Sequence, residues 1–390
     1  MKKRLAFSIA SLLIAAACWA DGASKAVVAE WDIPFLNCLT GPIASIGEYL
    51  QWGADRAAQE INAQGGIAGK PVKIVRVDTG VTPEKGTFEM SKLVKDSLVV
   101  LGPVPEPVIM AAVPIAADEG LYSFTATTSY EYAAKYFPWA ISWFPPTDEK
   151  LPPIVSAWAK KVGAKNVVQM IENYGAWPGM AKAHVPGLKA AGTTVLPDVE
   201  VPQDAVSFGP LVVKALAEKP DAIVFSCNAE KVAKMIIEFK SRGWKDMSKL
   251  LVFSSADDAA LYTTGGAALD GVMIYNYADP NFDSPRWSAF RAAFKADHKG
   301  MEPFSLSPNY YDAVYMIKRA IEDSGVTGDP KKLASERKAI ADYCNNIKAF
   351  QGLQDTWTNK GGYPQDKPTY LFEIRGGKKN LVTKVVPGAN

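Results

Sequence analysis

Histidine is almost missing from this chain: its 390 residues hold two, His184 and His298, far apart and without acidic or thiol neighbours at ligand spacing. That leaves a zinc site without its usual donors, and no metal is expected. Cysteine is scarce as well. Beyond the amino-terminal segment only Cys38, Cys227 and Cys344 remain, an odd number with no CxxC pair, so at least one thiol stays unpaired and all three read as small buried hydrophobes. An excess of charge is also lacking. The 43 basic and 41 acidic residues leave a formal net charge of +2 with the signs well mixed, which excludes nucleic acid and an anionic membrane surface as main partners. No apolar run is long enough to span a bilayer. The longest, Leu5 to Ala17, follows Lys2, Lys3 and Arg4 and ends in small residues, the pattern of an export signal. Residues 1–20 are therefore expected to be removed after Ala20, leaving a periplasmic chain that starts at Asp21. The alternative is a lipobox at Ala15-Ala16-Ala17-Cys18, which would lipidate Cys18.

Catalytic signatures are missing too. GGIAGK at Gly65 to Lys70 has the wrong glycine spacing for a phosphate loop, and Pro71 stands where a magnesium-binding hydroxyl would be needed. Nothing matches GxSxG, HExxH or a kinase signature. The adjacent acids Asp257 and Asp258 read as solvated loop residues before they read as an acid and base pair. The sequence thus predicts no enzyme and no cofactor.

What the chain has in quantity is alternation. Leu39 to Gly80 contains a strand exit, an amphipathic helix, a glycine turn and a second strand. Ile46, Leu50, Gly53, Ala54, Ala57 and Ile61 share one helix face, with Glu48, Gln51, Asp55 and Gln59 on the other. Gly65-Gly66 ends the helix and Val72 to Val77 runs on as a strand. Short apolar runs separated by helices continue to about Phe144 and imply a parallel sheet covered on both faces. Four prolines in SWFPPTDEKLPP, Ser142 to Pro153, interrupt the pattern and predict a crossing. A second alternating series follows, from a helix at Val155 to Lys161 through a strand at Val272 to Tyr275. The fold class is α/β, with a length that suits two domains. Ligands of such sheets bind at the carboxyl ends of the strands.

Several spaced motifs carry a resemblance. TGPIASIGEYLQWG, INAQGGIAGKPV with Asp78, VVLGPVPEPVIMAAVPIAADEGL, ENYGAWPGM, PNYYDAVYMIKRAIEDSG and FQGLQDTW resemble periplasmic solute-binding proteins of the leucine/isoleucine/valine-binding family, over nearly all of the mature chain. The resemblance implies the type I periplasmic binding fold: two Rossmann-like lobes with parallel sheets, joined by a three-crossing hinge, with a ligand cleft between them. Lobe 1 would comprise 28–144 and 278–351, and lobe 2 145–277 and 352–386, with crossings near Phe144, Tyr277 and Gly352. It implies a monomeric receptor that closes on a small organic solute (an amino acid or similar compound, an amide or an aromatic) and presents it to ABC permease subunits in the inner membrane. The alternative is a ligand-sensing protein of the same fold without a transport role.

Candidate site residues lie at predicted strand ends. SFTATTS, Ser123 to Ser129, places four hydroxyls past the predicted strand end at Phe124 and suits a polar ligand head; the resemblance assigns the head group to the Thr125 backbone and the Thr127 hydroxyl, and the alternative is a capped helix start. In GPVPEPV the family usually has a carboxylate-binding serine where this chain has Glu106. A glutamate there would repel a carboxylate and favour an amine, hydroxyl or amide; the alternative is that it serves the first turn of the next helix. Ile46 replaces a frequent pocket aromatic. Tyr174-Gly175 matches the family's YG, and Trp177 adds a flat apolar wall. Asn228 and Asp257 follow later strand ends, the latter where the family places an acid against the ligand's ammonium.

Overall fold

The computed structural model describes residues 26–127, 130–142, 147–174 and 177–386. β1 (Trp31–Asn37) leads into α1 (Ala44–Ala63), whose buried face contains Leu50, Gly53, Ala54, Ala57 and Ile61. Gln51, expected on the polar face, is buried instead, and its amide donates to Asp55 at 2.9 Å. Gly66, at φ 81°, takes the left-handed backbone that ends the helix, and its N–H donates to Ile61 O at 2.9 Å. β2 (Val72–Asp78), α2 (Pro83–Leu93), β3 (Val99–Leu101), α3 (Glu106–Asp118), β4 (Tyr122–Thr125), α4 (Tyr130–Lys135) and β5 (Ala140–Ser142) complete the first series. Its sheet has the order β2-β1-β3-β4-β5 and is parallel throughout.

The second series opens with α5 (Thr147–Val162), and here the structure corrects the sequence reading. Pro152 and Pro153 lie inside this helix and not in a crossing before it. Each proline deletes one N–H of the ladder. Leu151, Ile154, Val155, Trp158 and Ala159 are fully buried around them, and that packing outweighs the lost hydrogen bonds. Next come β6 (Asn166–Glu172), α6 (Trp177–Ala190), β7 (Thr194–Val195), β8 (Val199–Val201), α7 (Gly209–Ala217) and β9 (Ala222–Ser226). They are followed by α8 (Ala229–Ser241), β10 (Leu250–Val252), α9 (Ala259–Gly265) and β11 (Met273–Asn276).

The chain then returns to the first sheet with α10 (Pro285–Asp297), α11 (Ser307–Asp323) and α12 (Leu333–Asn346). α11 lies along α1, so closely that a Cβ on Gly53 would stand 2.2 Å from the Ser307 carbonyl oxygen. α12 is tied down by Asn345, which accepts from the Tyr122 hydroxyl at 2.9 Å, and by Arg337, which donates to the carbonyls of Val94, Ser97 and Glu119.

Two small antiparallel pairs follow, β12 (Phe350–Gln351) with β13 (Thr356–Trp357) and β14 (Asn359–Lys360) with β15 (Tyr363–Pro364); no periodicity in the sequence announced them. β16 (Thr369–Arg375) and β17 (Lys378–Val385) join the second sheet, whose order is β17-β16-β11-β10-β9-β6-β7, with β8 also on β6. These last two strands run antiparallel, whereas β6 to β11 pair in parallel. Leu353 N–H donates to Asp312 of α11 at 2.8 Å, which fastens the chain beside Gly352 to the first-sheet helices. The expected crossing at Phe144 falls outside the described residues. The three described cysteines are free and buried, and no helix among the described residues is long and apolar enough to cross a membrane.

Candidate ligand-binding cleft

A cavity of about 120 Å3 opens where the carboxyl ends of the two sheets face each other. From the first side come Ile43, Ile46 and Leu50 at the start of α1, the Val104 to Pro107 turn between β3 and α3, Ala126 just past β4, and Leu306 ahead of α11. From the second come Tyr174 after β6, Trp177 and Met180 on α6, Phe253 and Ser255 after β10, and Tyr277 after β11. Every strand involved contributes from its carboxyl end, where parallel sheets leave room because their crossovers all turn the same way.

Glu106 lines this cavity and is also the first residue of α3. It lines the cleft, and does not point away from it, while standing at the positive end of a helix, where a carboxylate is stabilised. Its Oε1 accepts from the Thr127 hydroxyl at 2.8 Å. The proton expected for a ligand head is therefore already committed to Glu106. Thr127 is buried, and its carbonyl accepts from the Ser142 hydroxyl. Thr125 is wholly buried in β4 and turns its hydroxyl to the Ile141 carbonyl at 3.0 Å; Ala126, not Thr125, lines the cavity.

Opposite, Trp177 packs edge-on to Phe253 with ring centroids 5.6 Å apart, and Tyr174 stands beside them. Partial burial raises the Tyr174 phenol above its usual range, so it acts as a neutral hydroxyl. Phe253, Met180, Tyr277 and Leu306 escaped the sequence reading. Phe253 and Tyr277 had a usable signal, being aromatics at or just past predicted strand ends; Leu306, ahead of a helix that packs on the other sheet, had none.

Two expected ligand contacts fall outside the lining. Asn228 is the amino-terminal cap of α8: its Oδ1 accepts from Lys231 N at 3.1 Å, while its backbone and amide donate to Glu172. Glu172 is in turn paired with Lys231 at 2.6 Å, so this group closes a loop edge internally. Asp257 was expected to neutralise a ligand ammonium. It is buried and already neutralised by Lys379 of β17, and it accepts from Asn276 at 2.6 Å and Tyr262 at 2.5 Å. The register reached the right loop, but the neighbouring Ser255 is the residue that lines the cleft. Among the described residues, no cluster of histidine, cysteine or acids could hold a metal ion.

The comparisons with known proteins agree with this geometry. A family model described as periplasmic binding protein matches residues 30–378. The Leu/Ile/Val-binding protein BraC3 of Rhizobium johnstonii is 27% identical over 316 residues, 80% of this chain and 84% of that one. Among solved structures, the leucine binding protein LivK of Thermotoga maritima superposes with a TM-score of 0.79 at 20% identity, covering 92% of this chain and 99% of the other. A solute binding protein of an ABC transporter from R. palustris in complex with benzoate also gives 0.79, at 21% identity, covering 92% and 97%. Such proteins bind and do not catalyse, and the chain belongs to the periplasmic binding proteins of the type I fold, in the leucine/isoleucine/valine-binding family.

Proposed function

We propose that this protein is the exported receptor of an ABC importer, which captures a small solute with an apolar body by closing lobe 1 (28–144 and 278–351) onto lobe 2 (145–277 and 352–386) and delivers it to permease subunits. The observation that carries the reading is the cavity built from the carboxyl edges of both sheets, with Ile46 and Leu50 on one side and Trp177 and Phe253 on the other. At about 120 Å3 it is close in size to an apolar cavity of about 150 Å3 that takes up benzene. One aromatic ring or one branched aliphatic chain therefore fills it. Proteins of similar structure include one complexed with benzoate and one that is a leucine binding protein, and both ligands have a body of that size. Residues 1–20 serve export; an intact mass starting at Asp21 is expected, and a mass carrying an acylated Cys18 would replace this with a lipid anchor.

A thermal-shift screen over branched-chain and aromatic amino acids, aromatic acids, amides and amines tests the reading. A true ligand at a hundredfold its dissociation constant should stabilise the protein by about 2.7 kcal/mol. Absence of any shift across compounds of this size, at millimolar concentration, would rule out a small-solute receptor of the kind described.

A further inference from the structure

The chemistry of the cleft is lopsided in a way that bears on which solutes can enter it. Glu106 is the only charged residue among the described lining residues, and no lysine, arginine or histidine is among them. The internal positions that are not described, 128–129, 143–146 and 175–176, contain no basic residue in the sequence either. A ligand carboxylate would therefore have to be held by backbone N–H groups at the helix starts, and α3 has lost most of its own. Its cap residue Pro105 and its second residue Pro107 carry no N–H. The N–H groups of Val108 and Ile109 are both spent on the Pro105 carbonyl, at 2.9 and 3.0 Å. Glu106 itself sets a carboxylate at that helix end, where an incoming anion would have been stabilised by the dipole. The Thr127 hydroxyl points its proton at Glu106 at 2.8 Å. The opposite wall presents the ring systems of Tyr174, Trp177, Phe253 and Tyr277, whose negative faces attract cations.

We infer that the cleft selects organic cations, an ammonium head on an apolar body of about one ring or one branched chain, and rejects solutes that carry a carboxylate. The inference rests on the cleft being the solute site and narrows its ligand class. Glu106 acts as the counter-ion that a ligand carboxylate would otherwise supply for its own ammonium, so a zwitterionic amino acid meets a second carboxylate where it needs donors. Without ligand, Glu106 accepts from the Thr127 hydroxyl and stands at the α3 amino end, which offsets part of the cost of its burial.

Calorimetric titration of the mature protein with matched probes decides it. Isopentylamine is set against leucine, which has the same alkyl body and ammonium plus a carboxylate, and benzylamine against benzamide and benzoate. The expected result is that each amine binds at least about tenfold more tightly than its carboxylate-bearing counterpart, and benzylamine more tightly than benzamide. Glu106→Gln, which keeps the shape and the Thr127 contact, should remove the advantage of benzylamine over benzamide. Glu106→Ser should raise benzoate and leucine binding; the unfolding midpoint of each unliganded variant shows that it is folded. If leucine or benzoate binds as well as the amines, if benzamide outranks benzylamine, or if Glu106→Gln leaves the ranking unchanged, the inference is overturned while the small-solute receptor stands. If none of the five compounds binds, the inference is overturned, and the wider thermal-shift screen decides whether the receptor reading falls with it.

Discussion

Single side chains set the acid limit of this protein. His184 is fully buried between Gln169, 3.1 Å from Nδ1, and the Tyr275 hydroxyl, 2.9 Å from Nε2. Burial penalises its charged form and lowers its pKa from 6.5 to about 3. Between those values the unfolded chain binds a proton that the folded chain does not, so stability is complete above pH 6.5 and is lost as the pH falls towards 3. The expected loss between pH 7.5 and pH 5 is about 2 kcal/mol from this residue. Denaturant unfolding at a series of pH values measures it, and His184→Gln should flatten the slope in that window even though it lowers stability at pH 7.5. A slope unchanged by the substitution would mean that other groups govern acid unfolding. The sequence offered no hint of this role: a lone histidine between glycine- and proline-bearing turns says nothing of what packs around it.

At the scale of elements, the α1 and α11 contact tests how much close approach matters. Gly53→Ala would gain up to about 1 kcal/mol of helix propensity in isolation. The added methyl group would meet the Ser307 backbone oxygen at 2.2 Å, and backbone cannot turn aside as a side-chain tip can. Overpacking of this sort costs about 1 to 3 kcal/mol, and with backbone as the obstacle the upper part of that range applies, so a net loss of up to about 2 kcal/mol is expected, read as a lower urea midpoint with an unchanged slope. A stabilised variant would show that the two helices separate easily. The face of α1 was legible because Leu50, Gly53, Ala54, Ala57 and Ile61 recur at helical spacing. α5 was legible only in its second half, since Pro152 and Pro153 signal a break that burial of Ile154 and Trp158 overrides. The pairs β12 with β13 and β14 with β15 are two residues per strand, too short to show any period.

At the scale of the whole molecule, a hydrogen bond joins the two sides of the cleft. The Ser45 hydroxyl on α1 donates across the mouth to Asp258 at 3.3 Å, and Asp258 caps α9 on the other side. An exposed bond of this kind contributes under about 1 kcal/mol, too little to hold the lobes together without a ligand that touches both. A ligand that contacts both sides only when they are closed shifts the population towards closure by its differential affinity. Small-angle scattering should therefore show a smaller radius of gyration on adding a binding solute, with no change in molecular mass. Identical curves with and without a solute that calorimetry shows to bind would count against hinge closure.

The order of most strands and helices could be read from the sequence because it depends on local periodicity. The likeness of TGPIASIGEYLQWG and its companion motifs to the leucine/isoleucine/valine-binding proteins was equally local. Which strand-end residues turn into the cleft was decided by the tertiary structure. Asp257 and Asn228 sit at the expected edge, yet Lys379, 122 residues away, neutralises the first, and Glu172, 56 residues away, holds the second. The Thr125 hydroxyl turns to the Ile141 carbonyl, while Glu106 and Thr127, 21 residues apart, meet at the helix start. These pairings join chain segments that pattern and spacing treat as independent, and only packing brings the partners within reach of each other.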